Sequence, residues 1–312
     1  MRKAAVNARD SERRRGDIAA ALFALTLAIN TTLLATVDAL WALVPLAAIQ
    51  SLLLLGCQEA KHLAAHRTLF GHARINDLAG TLAAALIGEN FIAFRYFHVQ
   101  HHRRACSDDD PEGRLYALSW RTRWIWLLAP LEVFWVAWHL GRVGRTLVPG
   151  RHRDAWHAAH CATIATAAVL CALAATHPHA VLWCYAIPLV CAAWLDFPLT
   201  QAEHYGSRIV GAEASHGRDA HANDVVLPVL GWLLLQRSLH RVHHRAPAAP
   251  WHTALRRLHA DPSARPITYA AFVRRWLAHG PHQWPHADAS AAHCTRRPLA
   301  SADRRGMSRL LA

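Results

Sequence analysis

"FRYFHVQHHRRACSDDDPEG", residues 94–113, places His98, His101 and His102 within five positions and follows them with a run of acids. The chain carries 24 histidines in 312 residues, so some clumping is expected. At that density an H-x-x-H-H pattern should arise by chance about 0.15 times in a chain of this length. A second copy, "HRVHH", carries His240, His243 and His244. Two accidental copies are about a one-in-a-hundred event on the same count. The repeated spacing points to ligands, and the surrounding sequence decides whether they can meet.

That surrounding sequence is membrane-like. Hydrophobic residues make up 53% of the chain while its net charge is +13, and the two properties are separated along it. A spanning helix needs about 20 mostly apolar residues. "IAAALFALTLAINTTLLATV" (18–37), "ALWALVPLAAIQSLLLLGC" (39–57), "CATIATAAVLCALAAT" (161–176) and "AVLWCYAIPLVCAAWLDFPLT" (180–200) predict four spans. A soluble all-α protein with buried helices is the competing reading, and the near absence of charge inside the four runs argues against it. The expected fold is therefore an all-α integral membrane protein with about four transmembrane helices. Residues 1–17 read as a basic cytosolic N-terminal arm, 18–284 as the membrane domain and 285–312 as a disordered C-terminal tail. The apolar run behind the arm is too long for a signal-peptide core. None of the seven cysteines forms a C-x-x-C pair, and most lie in apolar runs, which excludes a disulfide framework.

Two further apolar stretches do not read as spans. Residues 79–94 contain Glu89 and Asn90, and residues 124–140 contain Pro130, Glu132 and four tryptophans. Tryptophan favours the headgroup level, so both are expected to be interfacial helices. The run 225–235 is too short to cross. Lys and Arg mark cytoplasmic loops. Arg2, Lys3, Arg9 and Arg13 to Arg15 hold the N-terminus inside, as Lys61, Arg67 and Arg74 do the end of the second run. Arg208, Arg218, Arg237 and Arg241 follow the fourth. The expectation is a multi-pass protein of the inner or plasma membrane, with the histidine clusters and both termini cytoplasmic. Positive-inside topology accounts for the charge at least as well as a face that docks an acidic donor or anionic headgroups, and no nucleic-acid partner is expected.

A third cluster, "KHLAAH", puts His62 and His66 at i,i+4 on one helical face. Positions i, i+3 and i+4 of each H-x-x-H-H box also share a face. His204 stands alone in "EHYG". Nine histidines are enough for two metal ions with open positions for oxygen or substrate. Imidazole suits iron, zinc, copper and nickel alike, so ligand type leaves the metal open. Zinc hydrolases need fewer ligands per ion, and iron–sulfur clusters need cysteines that are missing here. Two Glu-x-x-His pairs, Glu59/His62 and Glu213/His216, evoke soluble di-iron bundles, but the further glutamates of such sites have no candidates. His72, His139, His152, His157, His160, His177, His179 and those from His252 onward read as interfacial, loop or backbone-bonded histidines.

With "HLAAH", "FHVQHH" followed by "DDDPEG", "AEHYG" and "HRVHHRAPAAPW", residues 40–260 resemble the membrane fatty acid desaturase superfamily, the integral-membrane di-iron enzymes. The resemblance implies a mushroom-shaped fold of four spans with a cytosolic helical cap. It implies two iron ions (Fe2+) held by His62, His66, His98, His101, His102, His204, His240, His243 and His244, with O2 as co-substrate. It implies an oxidoreductase, a fatty acyl (lipid) desaturase that introduces a C=C bond. Carotenoid ketolases or hydroxylases and alkane or fatty acid hydroxylases of the same superfamily are the alternatives. Two positions depart from its common patterns. Lys61 precedes the first box, where acidic or small residues are frequent, and Thr200 stands where stearoyl-CoA desaturases and alkane hydroxylases have asparagine.

Asp108 to Asp110, Glu112 and Glu203 are candidates to fix the imidazole tautomers from behind. With no fused electron carrier in the sequence, a separate donor such as a ferredoxin is implied, alongside a lipid or fatty acyl substrate. A non-catalytic membrane metal-binding protein is the remote alternative, and polar residues lining the spans would be its sign.

Overall fold

The computed structural model describes residues 2–107, 109–112, 123–206, 222–228 and 230–280. The expected disordered tail, Asp108, Arg208, Arg218 and the Glu213/His216 pair lie outside them. Helix α1 runs unbroken over Arg2–Thr36 and α2 over Leu40–Ala65. A short turn leads into α3 (Ala73–Leu86) and α4 (Phe91–Arg104), then α5 (Ala129–Leu147) and α6 (Arg153–Thr176). The fourth apolar run is α7 (Pro178–Val181) and α8 (Ile187–His204), joined by a π-turn at Leu182–Ala186. Short helices α9 (His240–Arg245), α10 (Ala254–Ala260) and α11 (Tyr269–His279) complete the chain. The single sheet among the described residues is a parallel pair, β1 (Val225–Val226) and β2 (Ile267–Thr268).

Four segments are long and apolar enough to cross a membrane: Asp10–Thr36, Leu40–Ala65, Gly150–Thr176 and Pro178–His204. They contain the four runs read from the sequence except for Val37 and Ala39, and the third extends 11 residues further toward the N-terminus than residue 161. Their outward faces suit hydrocarbon. Ile18, Leu22, Leu25, Ile29 and Leu33 form an exposed stripe along α1, and Ile164, Val169 and Leu173 stand exposed on α6. Exposed apolar surface on this scale marks contact with something other than water.

The stretch 79–94, read as one interfacial helix, is divided between α3 and α4, which meet at 100°. The reason is local. Gly88 adopts φ +76°, and Asn90 caps α4 by accepting from the Ala93 N–H at 2.9 Å. The corner is closely packed, since a Cβ on Gly80 would lie 2.3 Å from the Phe91 ring. Residues 129–147 form the helix expected of the tryptophan-rich stretch, and α5 packs along α4 and α8.

Prolines shape the last span. Pro188 has no N–H, so the Cys184 carbonyl loses its helical donor. The ladder widens into the π-turn there, and Gln50 Nε2 donates to that carbonyl at 3.3 Å. Pro198 likewise frees the Trp194 carbonyl, which accepts from Trp126 Nε1 at 3.0 Å. Gln50 also accepts from Asn30 Nδ2 at 2.7 Å and donates to Thr31 at 2.9 Å. Among apolar neighbours, freed backbone groups must find such partners. These side chains join α1, α2 and the π-turn, so the spans carry more interior hydrogen bonding than their sequence suggests.

Because α2 returns beside α1 and α8 beside α2, the end of α2, the end of α8 and the start of α1 lie at one end of the bundle. Contacts between Glu12 and His252 (3.2 Å) and between Asp17 and the Gly71 N–H (2.6 Å) tie α1 to that end. All the histidine clusters are there.

Candidate metal centre

The nine clustered histidines converge into two groups. His62, His66, His98, His102 and His243 form one, and His101, His204, His240 and His244 the other. Eight are buried and His243 is half-buried. The boxes do not act as units, although their positions share a face. From the second box His98 and His102 enter the first group while His101 enters the second; from the third box His240 and His244 enter the second while His243 enters the first. Neighbouring helical residues point about 100° apart, whereas i and i+4 point alike. Each H-x-x-H-H box therefore serves both groups, and its doubled histidine is what allows this.

The ring nitrogens face one another closely. In the five-histidine group His102 Nε2 lies 2.9 Å from His98 Nε2 and 2.9 Å from His243 Nε2, and His62 Nε2 lies 2.9 Å from His243 Nε2. In the four-histidine group His244 Nε2 lies 3.0 Å from His240 Nε2 and 3.3 Å from His101 Nε2, and His240 Nε2 lies 3.1 Å from His204 Nε2. Two nitrogens bound at 2.0–2.1 Å to one metal are about 2.9 Å apart at a right angle and about 3.4 Å apart at a tetrahedral angle. The observed separations span that range. His66 Nε2, on a ring packed against His62, His98, His102 and His243, has no hydrogen-bond partner among the described residues. A buried nitrogen left so costs about 1–3 kcal/mol. A cation in the group removes that cost, so the donor set fits a metal ion.

Carboxylates stand behind several rings. Glu59 meets His62 Nδ1 at 2.9 Å, and Asp110 meets His101 Nδ1 at 2.9 Å. Glu112 lies 3.4 Å from His98 Nδ1. A carboxylate on Nδ1 fixes the N–H there and turns the Nε2 lone pair inward. Asp110 reaches His101 because the chain reverses at Cys106, in the left-handed region at φ 58°, whose N–H donates to Asp110 at 2.9 Å. The Cys106 thiol lies 3.8 Å from His204 Nδ1. Of the other acids expected behind the rings, Asp109 pairs with Arg104 and Glu203 with Arg237 Nε at 2.7 Å.

Burial lowers the imidazole pKa values. His66 falls to about 3 through desolvation, with Arg95 and His101 adding to it. His98, His102, His240, His243 and His244 are lowered by desolvation and by neighbouring rings. His101 is the exception. Desolvation pulls it down, but the carboxylates of Asp110 and Glu112 outweigh that and raise it to about 9. Neutral imidazole is the form that ligates metal.

A segment that carried no sequence signal holds the lone histidine against the third box. Asn223 Nδ2 donates to the carbonyls of Ala202 (3.0 Å) and Tyr205 (2.9 Å) at the end of α8. Its own carbonyl accepts from the Arg241 N–H at 3.1 Å, and Asp224 Oδ1 accepts from the Val242 N–H at 3.0 Å. These bonds satisfy donors at the start of α9 that the helix leaves free. Glu59 had a signal in the Glu-x-x-His spacing, but its place is behind His62. His72, outside the boxes, caps α3 by accepting from the Arg74 N–H at 3.3 Å.

One cavity is lined by histidines and a second shares a wall with it. The first, of about 720 Å³ including its open mouth, is lined by His62, His98, His101, His204 and His240 together with Lys61, Thr200 and Arg237. Lys61 forms a buried ion pair with Glu89 at 2.5 Å, and Arg237 binds Asp196, Glu203 and Thr200 along one face of α8. The second, of about 610 Å³, is lined mainly by apolar residues, among them Leu54, Leu55, Val133, Leu189 and Phe197. The two share Gln58, Glu89 and Val136 as wall.

Four spanning helices, two imidazole groups that could each hold a metal ion, and an apolar cavity beside them define a helical membrane protein built around a paired metal-binding centre. The family model described as fatty acid desaturase matches residues 39–276, and the chain belongs to that family. No curated protein matches the chain.

Proposed function

We propose that the protein is an O2-dependent di-iron oxidoreductase that introduces a C=C bond into a fatty acyl chain. The observation that carries this reading is the shared wall of Gln58, Glu89 and Val136, which sets an apolar cavity within the bundle against the cavity lined by the histidines. An alkyl chain seated among Leu54, Leu55, Leu189 and Phe197 would bring a methylene toward the imidazoles. Two ferrous ions bound there supply the binding and reduction of O2, which no side chain can perform. The nine histidines would be their ligands, with Glu59 and Asp110 fixing tautomers and the closely packed helices excluding water. Each turnover removes two hydrogens from the chain and reduces one O2 to two waters, with two electrons and two protons from outside. The electrons come from a separate donor such as a ferredoxin. The Lys and Arg residues of the loops support a cytoplasmic histidine end and cytoplasmic termini, where such a donor would reach the site.

Hydroxylation or ketolation is the second reading, and the polar lining of Lys61, Thr200 and Arg237 favours it, because it suits a substrate that bears or acquires oxygen. Lipid and pigment analysis of expressing and empty-vector hosts grown under 18O2 separates the two. Desaturation gives a product two mass units lighter with no label, and oxygenation gives a labelled product. A host with unchanged lipids and pigments contradicts both.

A further inference from the structure

Glu112 has one oxygen on a ring from each histidine group. Its Oε1 lies 3.4 Å from His98 Nδ1, the outer nitrogen of a ring whose Nε2 faces His102 in the five-histidine group. Its Oε2 lies 3.0 Å from His101 Nε2. That second contact is of another kind. His101 Nδ1 is already held by Asp110, and Nε2 faces His244 at 3.3 Å, so Nε2 is the nitrogen available to a metal. With a proton on Nε2 this contact is a charge-assisted hydrogen bond, and an ion taking that proton's place would face Nε2 and Oε2 together. The separation also equals that of cis donors with bonds of about 2.1 Å.

From this geometry we infer that Glu112 is a ligand of the ion in the four-histidine group, a fifth donor there, while its other oxygen accepts from the His98 N–H. The inference rests on the two-metal reading. It gives each ion five protein donors and places a hard anionic oxygen among neutral imidazoles, a donor that suits iron and stabilises its more oxidised state. The backbone is in position for this, since the Glu112 N–H donates to Asp110 Oδ1 at 2.9 Å. The carboxylate lines the larger cavity and is about one-fifth exposed, so it has room to turn toward the ion.

Glutamine separates the two roles. Glu112→Gln keeps an acceptor for the His98 N–H but offers the metal only a weak neutral oxygen. Full-length protein would be loaded anaerobically with isotopically enriched ferrous iron, examined by Mössbauer spectroscopy, and then challenged with a ferrous chelator. The wild type should show two doublets of equal area. In Glu112→Gln one doublet should change, and its iron should be held more than about 100-fold less tightly, beyond the loss expected from an outer partner. Wild-type spectra and release rates in Glu112→Gln overturn the inference and leave Glu112 as an outer partner of His98. Should Glu112→Gln not fold, Glu112→Asp decides, because it keeps the carboxylate and shortens its reach. One altered doublet supports ligation, and two unaltered ones contradict it. A wild type that takes up fewer than two irons overturns the two-metal reading itself, and this inference with it.

Discussion

The two histidine groups are built from largely the same helices yet differ in supply and support. The five-histidine group draws on α2, α4 and α9, the four-histidine group on α4, α8 and α9. The first has the His62–His66 pair to itself; the second depends on a single histidine, His204, at the end of a span. Behind the first stand Glu59 and Glu112; behind the second stand Asp110 and a cysteine thiol. The comparison teaches that a histidine box is a splitter. Its i and i+4 positions commit to one group and its i+3 position to the other, and the assignment reverses between the second and third boxes. The two groups are coupled through shared backbone but can fail one at a time.

The largest expected effect follows from that asymmetry. His204→Ala should abolish product formation and leave about one iron per chain, because it cuts the smaller histidine set to three. His66→Ala leaves four histidines in its group and should retain most iron and part of the turnover. Metal analysis and product yield on the same preparations check this, and equal losses in the two variants would erase the distinction between the groups.

Acid should next separate the groups. A pKa raised to about 9 keeps His101 protonated below that pH, so a metal must displace one proton there. Ferrous affinity of the four-histidine group should then rise about tenfold per pH unit from about pH 6 and level off near pH 9. His66, His98, His102 and His243 have lowered pKa values and are already neutral in that window, so the other group should bind with little pH dependence. Anaerobic competition with a chelator across this range measures both slopes.

Asp110→Asn acts on the same contrast more gently. It removes the anion behind His101 and should weaken the four-histidine group by about 10–100-fold while sparing the other. It should also flatten the slope below pH 9. The smallest effect on the comparison belongs to Gly80→Ala, which forces a methyl into the Phe91 ring at the α3–α4 corner. Overpacking of this kind costs about 1–3 kcal/mol, so the unfolding temperature should fall while the ratio of the two affinities holds. A selective loss from one group would mean that the corner positions that group in particular.

Much of this architecture was legible in the sequence because the signals were strong and local. The four apolar runs were visible as length and composition, and the boxes as spacing that chance does not supply. His204 was found through its motif and its place after a span. The division of each box between two groups could not be read, because spacing tells which residues share a face and not which partner each meets across it. Glu59 was passed over as an outer partner for a similar reason, since i,i+3 spacing cannot distinguish a carboxylate beside a ring from one behind it. The 100° corner at Gly88 lay inside an apolar stretch whose composition hid it. Asn223 and Asp224 stand in a polar loop with no periodicity, and only their long-range bonds to α8 and α9 reveal them as supports.

The central claim is that nine histidines hold two ions, one in each group. X-ray diffraction from crystals of the purified protein, with data on both sides of the iron absorption edge, tests it most directly. Two anomalous peaks are predicted per chain, both iron, one enclosed by His62, His66, His98, His102 and His243 and one by His101, His204, His240 and His244. A single peak, or peaks at the zinc edge from protein that forms product, would contradict it.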